Sequence, residues 1–425
     1  MKLKVEPTER LQGRIAIPAS KSHTIRAVLI AALAEGTSVL HRPLLSEDTR
    51  AALNACEALG ARIVPSDDRI EITGFNSEPA HPARALDMLN SGTSTNLTLG
   101  LLAALGVSAE ITGDASLQSR PVQALTDALQ QLGCAISFHG RHGCPPLSIS
   151  GRMRGGTVVL DASKSSQYVS SLLIACPLAP CDTEIIVENP SELPYIEMTL
   201  AWLDGQDISY TREGYTRFVV PGNQRYRAFE NTIAADWSSA AFPLCAAAIT
   251  ESDVYLEGLD LQDVQGDKDI VEFLRLMGAE IDNVSGGIRV QGRPLTGCRL
   301  DINATPDALP ALAVMGCCAE GRTILENVAQ ARVKETDRIA VMAAELKKMG
   351  ACITEMPDGL IIEKSPLNGA TLHGHHDHRV VMALAVAGLR ARGTTVIDTA
   401  EAVAVTYPSF VESMQHLGVR ITTIS

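Results

Sequence analysis

The densest chemistry in the sequence is Arg332-Val-Lys334-Glu335-Thr-Asp337-Arg338, five charges in seven residues running into the periodic apolar set Ile339, Met342, Ala343, Leu346 and Met349. That spacing predicts a helix with its charges at the N-terminal entrance. Lys334 and Arg338, at i and i+4, are expected to share a face, where like charges repel by a few tenths of a kcal/mol unless an anion lies between them. Free N–H groups and the dipole at a helix start also favour negative charge, so the stretch reads as half of an anion site. Similar polar clusters open other apolar segments: Lys21-Ser22, Gly92-Thr93-Ser94, Ser165-Ser166-Gln167, Asp236-Trp-Ser238-Ser239, Asp307-Ala-Leu-Pro310 and Asp377-His378-Arg379. Each has the character of an N-cap. A different chemistry is suggested by His373-Gly-His375-His376-Asp377-His378, whose four imidazoles in six residues have the density of a zinc site. No cysteine or paired carboxylate elsewhere has matching spacing, so no metal is expected.

The elements that must position these residues repeat. Five segments close an amphipathic helix with an apolar residue and glycine before a short strand, at Gly60, Gly133, Gly278, Gly350 and Gly418, and a degenerate copy stands at Gly205. Successive separations are 73, 72, 73, 72 and 68 residues, longer than solenoid repeats and too regular for chance. Glycine there is the expected left-handed residue just past a helix end. The polar clusters run in phase, roughly 40 residues before each glycine, which predicts six units of strand, helix, strand, helix, strand. The polar run Pro221-Gly-Asn-Gln-Arg-Tyr-Arg-Ala-Phe-Glu230 separates three units from three.

A chain of 425 residues, 46% apolar, has material for two large domains. The formal charge of −13 excludes a nucleic-acid or anionic-membrane partner of the ordinary basic type, so any anionic ligand must meet a local cluster of cations. Ten scattered cysteines without a C-x-x-C pair, no apolar run near a membrane span and no leader-like N-terminus predict a cytoplasmic protein.

Taken together, Pro18-Ala-Ser-Lys21-Ser22-His-Thr-Ile-Arg26, Asn90-Ser-Gly92-Thr93, Gly113-Asp-Ala-Ser-Leu-Gln-Ser-Arg120-Pro121, Ser165-Ser166-Gln167, Asp307, Arg332 to Arg338 and Asp377-His378-Arg379 resemble the 5-enolpyruvylshikimate-3-phosphate synthase family. The resemblance spans nearly the whole chain. It implies an α/β fold of two inside-out domains, each of three βαβαββ repeats, facing across a cleft that closes on substrate. The expected domains are residues 20–230 and a discontinuous pair, 1–19 with 231–425, to which the N-terminal strand belongs. The implied reaction moves the enolpyruvyl group of phosphoenolpyruvate to the 5-hydroxyl of shikimate 3-phosphate and releases phosphate, with no cofactor. The resemblance further implies that Lys21, Gly92, Arg120, Gln167, Arg338 and Arg379 bind phosphoenolpyruvate. For phosphoshikimate it implies Lys21, Ser22, Arg26, Ser165, Ser166, Gln167, Asp307, Gln330 and Lys334. It gives Asp307 as base, Glu335 as proton donor and Lys21 as a charge stabiliser or proton relay, and it implies inhibition by glyphosate. A monomer is expected.

The sequence departs from the family pattern at four places. Asn96 stands where an arginine is usual, Val405 where many members have a lysine, Gln330 where an asparagine is common, and Glu192 where a serine is usual, although Ser191 adjoins it. A lost cation and a gained carboxylate keep an altered acceptor as a second expectation. UDP-N-acetylglucosamine as acceptor is disfavoured, because Ser22 rather than asparagine follows Lys21 and Gly113 to Arg120 contains no cysteine. A non-catalytic small-molecule or metal binder is the remote alternative.

Overall fold

The computed structural model describes residues 1–75 and 78–424. Contacts divide the chain into two compact units, one of Ala19–Ile233 and one of Met1–Pro18 with Ala234–Ser425. The described residues form six four-stranded sheets, three in each unit. All six share one pattern: an edge strand pairs parallel with its neighbour, and the next two pairs are antiparallel. In the discontinuous unit, Lys2–Val5 lies antiparallel to both Thr395–Ile397 and Ile421–Ile424, while Gln12–Ala16 lies parallel to Asp253–Glu257. The first eighteen residues therefore complete two sheets of the unit that holds the C-terminus.

Alternation explains which face of each sheet is covered. In Asp253–Glu257, Val254 and Leu256 point inward, and Leu256 registers with Ile15 on one side and Ile288 on the other. Outward positions carry cross-strand ion pairs such as Arg289–Asp253 at 2.6 Å and Arg322–Glu363 at 2.6 Å. Exposed pairs of this kind contribute little each, about 0–1 kcal/mol.

Helices rather than sheets fill the interior. Trp237–Ala248 and His378–Leu389 are buried along their whole length, and Leu309–Cys318 is buried through Cys317. These three pack on one another at the centre of one unit. Lys21–Leu33, Gly92–Leu105 and Gln167–Ala175 are buried to a similar extent in the other. Such helices are apolar all round, mostly alanine, leucine and valine, because no face meets water. Their polar residues cluster in the first two turns, as with Arg26, Asn96, Thr98 and Ser171, and this concentrates the chemistry toward the helix starts.

The recurring glycines behave as their role demands at five positions, with φ of 102°, 103°, 102°, 92° and 94° at Gly60, Gly133, Gly278, Gly350 and Gly418. Gly205 differs: it sits at φ −65°, and Asp207 takes the positive φ of 55° two residues later. The expected left-handed turn is thus displaced along the chain in the degenerate copy.

Candidate active-site residues and family membership

In the Ala19–Ile233 unit, Ser20 caps the helix Lys21–Leu33 by accepting from the His23 N–H at 3.4 Å, which leaves Lys21 on the opening turn. Lys21 Nζ lies 2.9 Å from Asp48 Oδ2, and the two side chains are only 12% and 4% exposed. The backbone oxygen of Asp48 accepts from Ser94 Oγ at 2.9 Å, and Ser91 caps the next helix by accepting from the Ser94 N–H at 3.2 Å. Asp48 therefore ties two helix starts together; only its place in the first turn of an amphipathic helix hinted at it in the sequence.

Gly92 begins that second helix, and a Cβ built on it would lie 3.4 Å from Arg120 Nη1 and 3.9 Å from Gln167 Oε1. Gly92, Arg120 and Gln167 thus come together from three separate segments. Arg120 is aimed by the Asn90 backbone oxygen at 3.0 Å, the Asn90 side-chain oxygen, and Ser116 Oγ at 3.0 Å. Gln167 donates to Thr93 Oγ1 at 3.0 Å and accepts from Asn96 Nδ2 at 2.8 Å. Asn96, where an arginine is usual, is consequently 6% exposed and occupied in orienting Gln167.

Ser165 Oγ accepts from the Gln167 N–H at 3.2 Å, while Ser166 donates to the Glu192 carboxylate from its N–H at 3.3 Å and its hydroxyl at 3.0 Å. Glu192 is 1% exposed and holds a left-handed φ of 51°. Ser191 does not take its place, because its hydroxyl donates to the Ala162 carbonyl at 2.7 Å. Ser22 is half-buried, and its carbonyl accepts from Arg26 at 3.1 Å. Arg26 itself, 1% exposed, donates to Thr199 Oγ1 at 2.9 Å, Ser170 Oγ at 3.3 Å and the Tyr195 carbonyl at 3.2 Å. Burial draws its pKa down to about 10.

The other unit gathers its charges around Arg338. The helix does not begin where the periodicity placed it: Ala329–Val333 forms a 3₁₀ turn, and the α-helix runs Arg338–Lys348 with Asp337 as cap, accepting from the Ala340 N–H at 3.0 Å. Lys334 and Glu335 therefore precede the helix, and Lys334 does not share a helical face with Arg338. The cause is Arg332, which holds the turn by donating to Asp337 at 2.7 Å and to the carbonyls of Pro357 at 2.7 Å and Met356 at 2.6 Å.

Arg338 is fully buried and meets three carboxylates: Asp377 at 2.8 Å, Asp307 at 2.7 Å and Glu335 at 2.6 Å. Burial works against its charge, yet Asp377, Glu335 and Asp307 outweigh burial and raise its pKa. Asp307, on the 3₁₀ turn Pro306–Ala308 ahead of Leu309–Cys318, also receives Arg379 at 2.8 Å. Burial opposes its ionisation too, but Arg379, Arg338 and Lys334 hold the carboxyl well below the usual carboxylate range. Asp377 caps His378–Leu389 by accepting from the Arg379 N–H at 2.9 Å, and it also accepts from Thr336 Oγ1 at 3.1 Å. Gln330 is 5% exposed and donates to the Asn303 carbonyl at 3.0 Å.

The imidazoles beside this cluster are engaged by carboxylates. His373 Nδ1 lies 2.6 Å from Asp398 and His375 Nε2 lies 2.9 Å from Glu345. Among the described residues, no group of three or more His, Cys, Asp and Glu side chains is arranged to hold a metal ion.

Lys21, Arg338 and Arg379 at capped helix starts, three carboxylates on one buried guanidinium, and a glycine that leaves room beside Arg120 suit polyanionic substrates and proton transfer. The sequence matches the EPSP synthase (3-phosphoshikimate 1-carboxyvinyltransferase) family over residues 5–414. It is 47% identical over 425 residues to the 3-phosphoshikimate 1-carboxyvinyltransferase of Acetivibrio thermocellus, covering 100% of both chains. It is 48% identical over 415 residues to that of Methanothrix thermoacetophila, covering 97% of each. The solved EPSP synthase of Acinetobacter baumannii superposes with a TM-score of 0.83 at 32% identity, over 99% of this chain and 100% of that one. By sequence over its full length and by fold, the chain belongs to the EPSP synthase family.

Proposed function

We propose that the chain transfers the enolpyruvyl group of phosphoenolpyruvate to the 5-hydroxyl of shikimate 3-phosphate, releasing phosphate. The observation that carries this reading is Arg338, a buried guanidinium shared by Asp307 and Glu335, with Arg379 on the far oxygen of Asp307. The reaction needs a carboxylate to take a proton from the attacking hydroxyl and a carboxyl to give one to the methylene carbon. Asp307 is ionised and serves as the acceptor. Held so low it is a weak base, but an anionic substrate at Arg338 and Arg379 neutralises the charge that depresses it, and its basicity rises as the site fills.

Glu335, protonated from solvent once an anionic substrate competes for Arg338, gives that proton to the methylene carbon as the hydroxyl oxygen bonds to the central carbon of the enolpyruvyl group. The product of that addition carries a methyl group, the phosphate and the new ether on one carbon. Elimination returns a methyl proton to Glu335 while the carbon–oxygen bond to phosphate breaks and Asp307 passes the hydroxyl proton it holds to the departing phosphate. Lys21 balances charge on the departing phosphate. In this reading Gly92, Arg120, Gln167, Arg338 and Arg379 take phosphoenolpyruvate, and Ser22, Arg26, Ser165, Ser166, Gln330 and Lys334 take the phosphoshikimate. The two compact units serve as the two domains of the family.

We further take the protein to be monomeric and cytoplasmic; ten free cysteines fit a reducing compartment, and among the described residues no helix is long and apolar enough to cross a membrane. Phosphate release measured with phosphoenolpyruvate and shikimate 3-phosphate, against shikimate and UDP-N-acetylglucosamine, tests the acceptor. Release that depends on shikimate 3-phosphate supports the reading. The carboxylate of Glu192 on Ser166 favours one alternative, an acceptor lacking the 3-phosphate, and preference for unphosphorylated shikimate in the same assay establishes it.

A further inference from the structure

The discontinuous unit has a cavity of about 680 Å³ where its three central helices end, remote from the helix starts that carry Asp307, Asp377 and Arg379. Twelve-residue helices such as Trp237–Ala248 and His378–Leu389 are about 18 Å long, so the cavity lies roughly that far from the charged cluster. Its volume is in the range of small-molecule sites. Ile249, Leu295 and Leu367 give it apolar walls, and the exposed Arg390 and Arg392 also line it.

These two arginines differ from most others of the unit. Around the same unit Arg14, Arg275, Arg289, Arg293, Arg299 and Arg322 each pair with a carboxylate, in a protein with an excess of acid. Among the described residues no carboxylate or carbonyl accepts from the side chain of Arg390 or Arg392. Arg390 is the C-cap of His378–Leu389, where a cation suits the helix dipole, but its guanidinium makes no hydrogen bond to the last-turn carbonyls. Other charges on the cavity wall are already satisfied: Lys364 pairs with Glu320, and Arg293 with Glu280 at 2.6 Å. Glu251 also lines the cavity.

We propose that this cavity is a second ligand site, taking a small organic acid whose carboxylate is held by Arg390 and Arg392 while its apolar body rests on Ile249, Leu295 and Leu367. Two guanidinium forks match carboxylate geometry, and the apolar walls distinguish an organic acid from a bare inorganic anion. The site is independent of the proposed catalytic residues, none of which lines it.

Calorimetric titration of the full chain with benzoate, glutarate and inorganic phosphate tests this. Benzoate or glutarate should saturate one site with a dissociation constant near 1 mM, about −4 kcal/mol. Arg390→Gln/Arg392→Gln should weaken it at least tenfold with kcat/KM unchanged, while Arg14→Gln leaves it intact. Acids captured by the catalytic residues would still bind the double variant. The proposal is overturned if neither organic acid saturates, if the double variant binds as wild type does, or if inorganic phosphate binds equally well with the same loss.

Discussion

Asp377 is the residue whose replacement should be felt most in the unit that carries Arg338. Its carboxylate is fully buried, accepts from Arg338 at 2.8 and 3.2 Å and from Thr336 at 3.1 Å, and caps the helix His378–Leu389. Removing one partner of a buried ion pair costs about 3–5 kcal/mol when it strands the other charge. Arg338 would not be stranded, because Asp307 and Glu335 remain at 2.7 and 2.6 Å, so Asp377→Asn should cost about 2–3 kcal/mol. Asparagine is also a good cap, whereas alanine is not, and Asp377→Ala should lose a further ~1 kcal/mol.

The two tryptophans make this measurable unit by unit. Trp237, buried with its indole N–H donating to the Asp260 carbonyl at 3.0 Å, reports the unit containing Asp377, and Trp202 lies in the other. Urea unfolding followed by Trp237 fluorescence in a Trp202→Phe background should rank the parent above Asp377→Asn above Asp377→Ala at constant m. Asp307 and Asp377 are both held below the ordinary carboxylate pKa, so the folded state binds their protons less readily than the unfolded chain. Their contribution is present above the unfolded value of about 4 and is lost as pH falls below it toward the folded values. The Asp377→Asn variant should therefore show a shallower acid limb than the parent. Losses under ~1 kcal/mol in both variants, or equal losses, would refute the claim that Asp377 anchors Arg338 and caps the helix.

Asp307→Asn should lower kcat by about 10² to 10⁴ while leaving the unfolding midpoint of the Ala19–Ile233 unit unchanged, as steady-state rates and Trp202 fluorescence would show. Gly92→Ala places a methyl group 3.4 Å from Arg120 Nη1, tight enough to shift that side chain by a few tenths of an ångström but not to disturb the helix. The inhibition constant for glyphosate, a longer ligand than phosphoenolpyruvate, should rise more than the Michaelis constant for phosphoenolpyruvate, and parallel steady-state titrations compare the two. Asn96→Arg should lower activity rather than strengthen anion binding, because it forces a larger cation into a position 6% exposed and removes the donor that orients Gln167; Michaelis constants below wild type would contradict this.

What the sequence made legible depended on range. Asp377 was recognisable as a cap because its oxygen and the N–H it accepts lie two residues apart, whereas the clusters at Lys21-Ser22 and Gly92-Thr93-Ser94 marked the helix starts but missed the capping residues Ser20 and Ser91 just ahead of them. Arg338, Arg379 and Asp307 stood out as charges at the openings of apolar helices. Their mutual arrangement was not legible, since the bonds that define it join residues 31 and 39 positions apart. Asp48 escaped notice for the same reason: its partners, Lys21 and Ser94, come from two other helices. Periodicity misplaced Lys334 because apolar spacing locates the buried face of a helix and says little about its first residue, which here is decided by Arg332 reaching back to Met356 and Pro357. At Glu192 the sequence showed a substitution but not its consequence, a buried carboxylate on Ser166 in a left-handed backbone conformation.

Transfer by addition and elimination runs, in the proposed reaction, through carboxylates that exchange protons with water. Its most direct test is the reaction in deuterium oxide, followed by proton and phosphorus magnetic resonance with phosphoenolpyruvate and shikimate 3-phosphate both present. Addition and elimination should yield one inorganic phosphate per new enolpyruvyl ether, with deuterium in the ether's methylene group, because the intermediate methyl group gains one solvent-derived proton and loses one of three. Phosphate release without the ether, or an ether whose methylene group carries no deuterium, would contradict it.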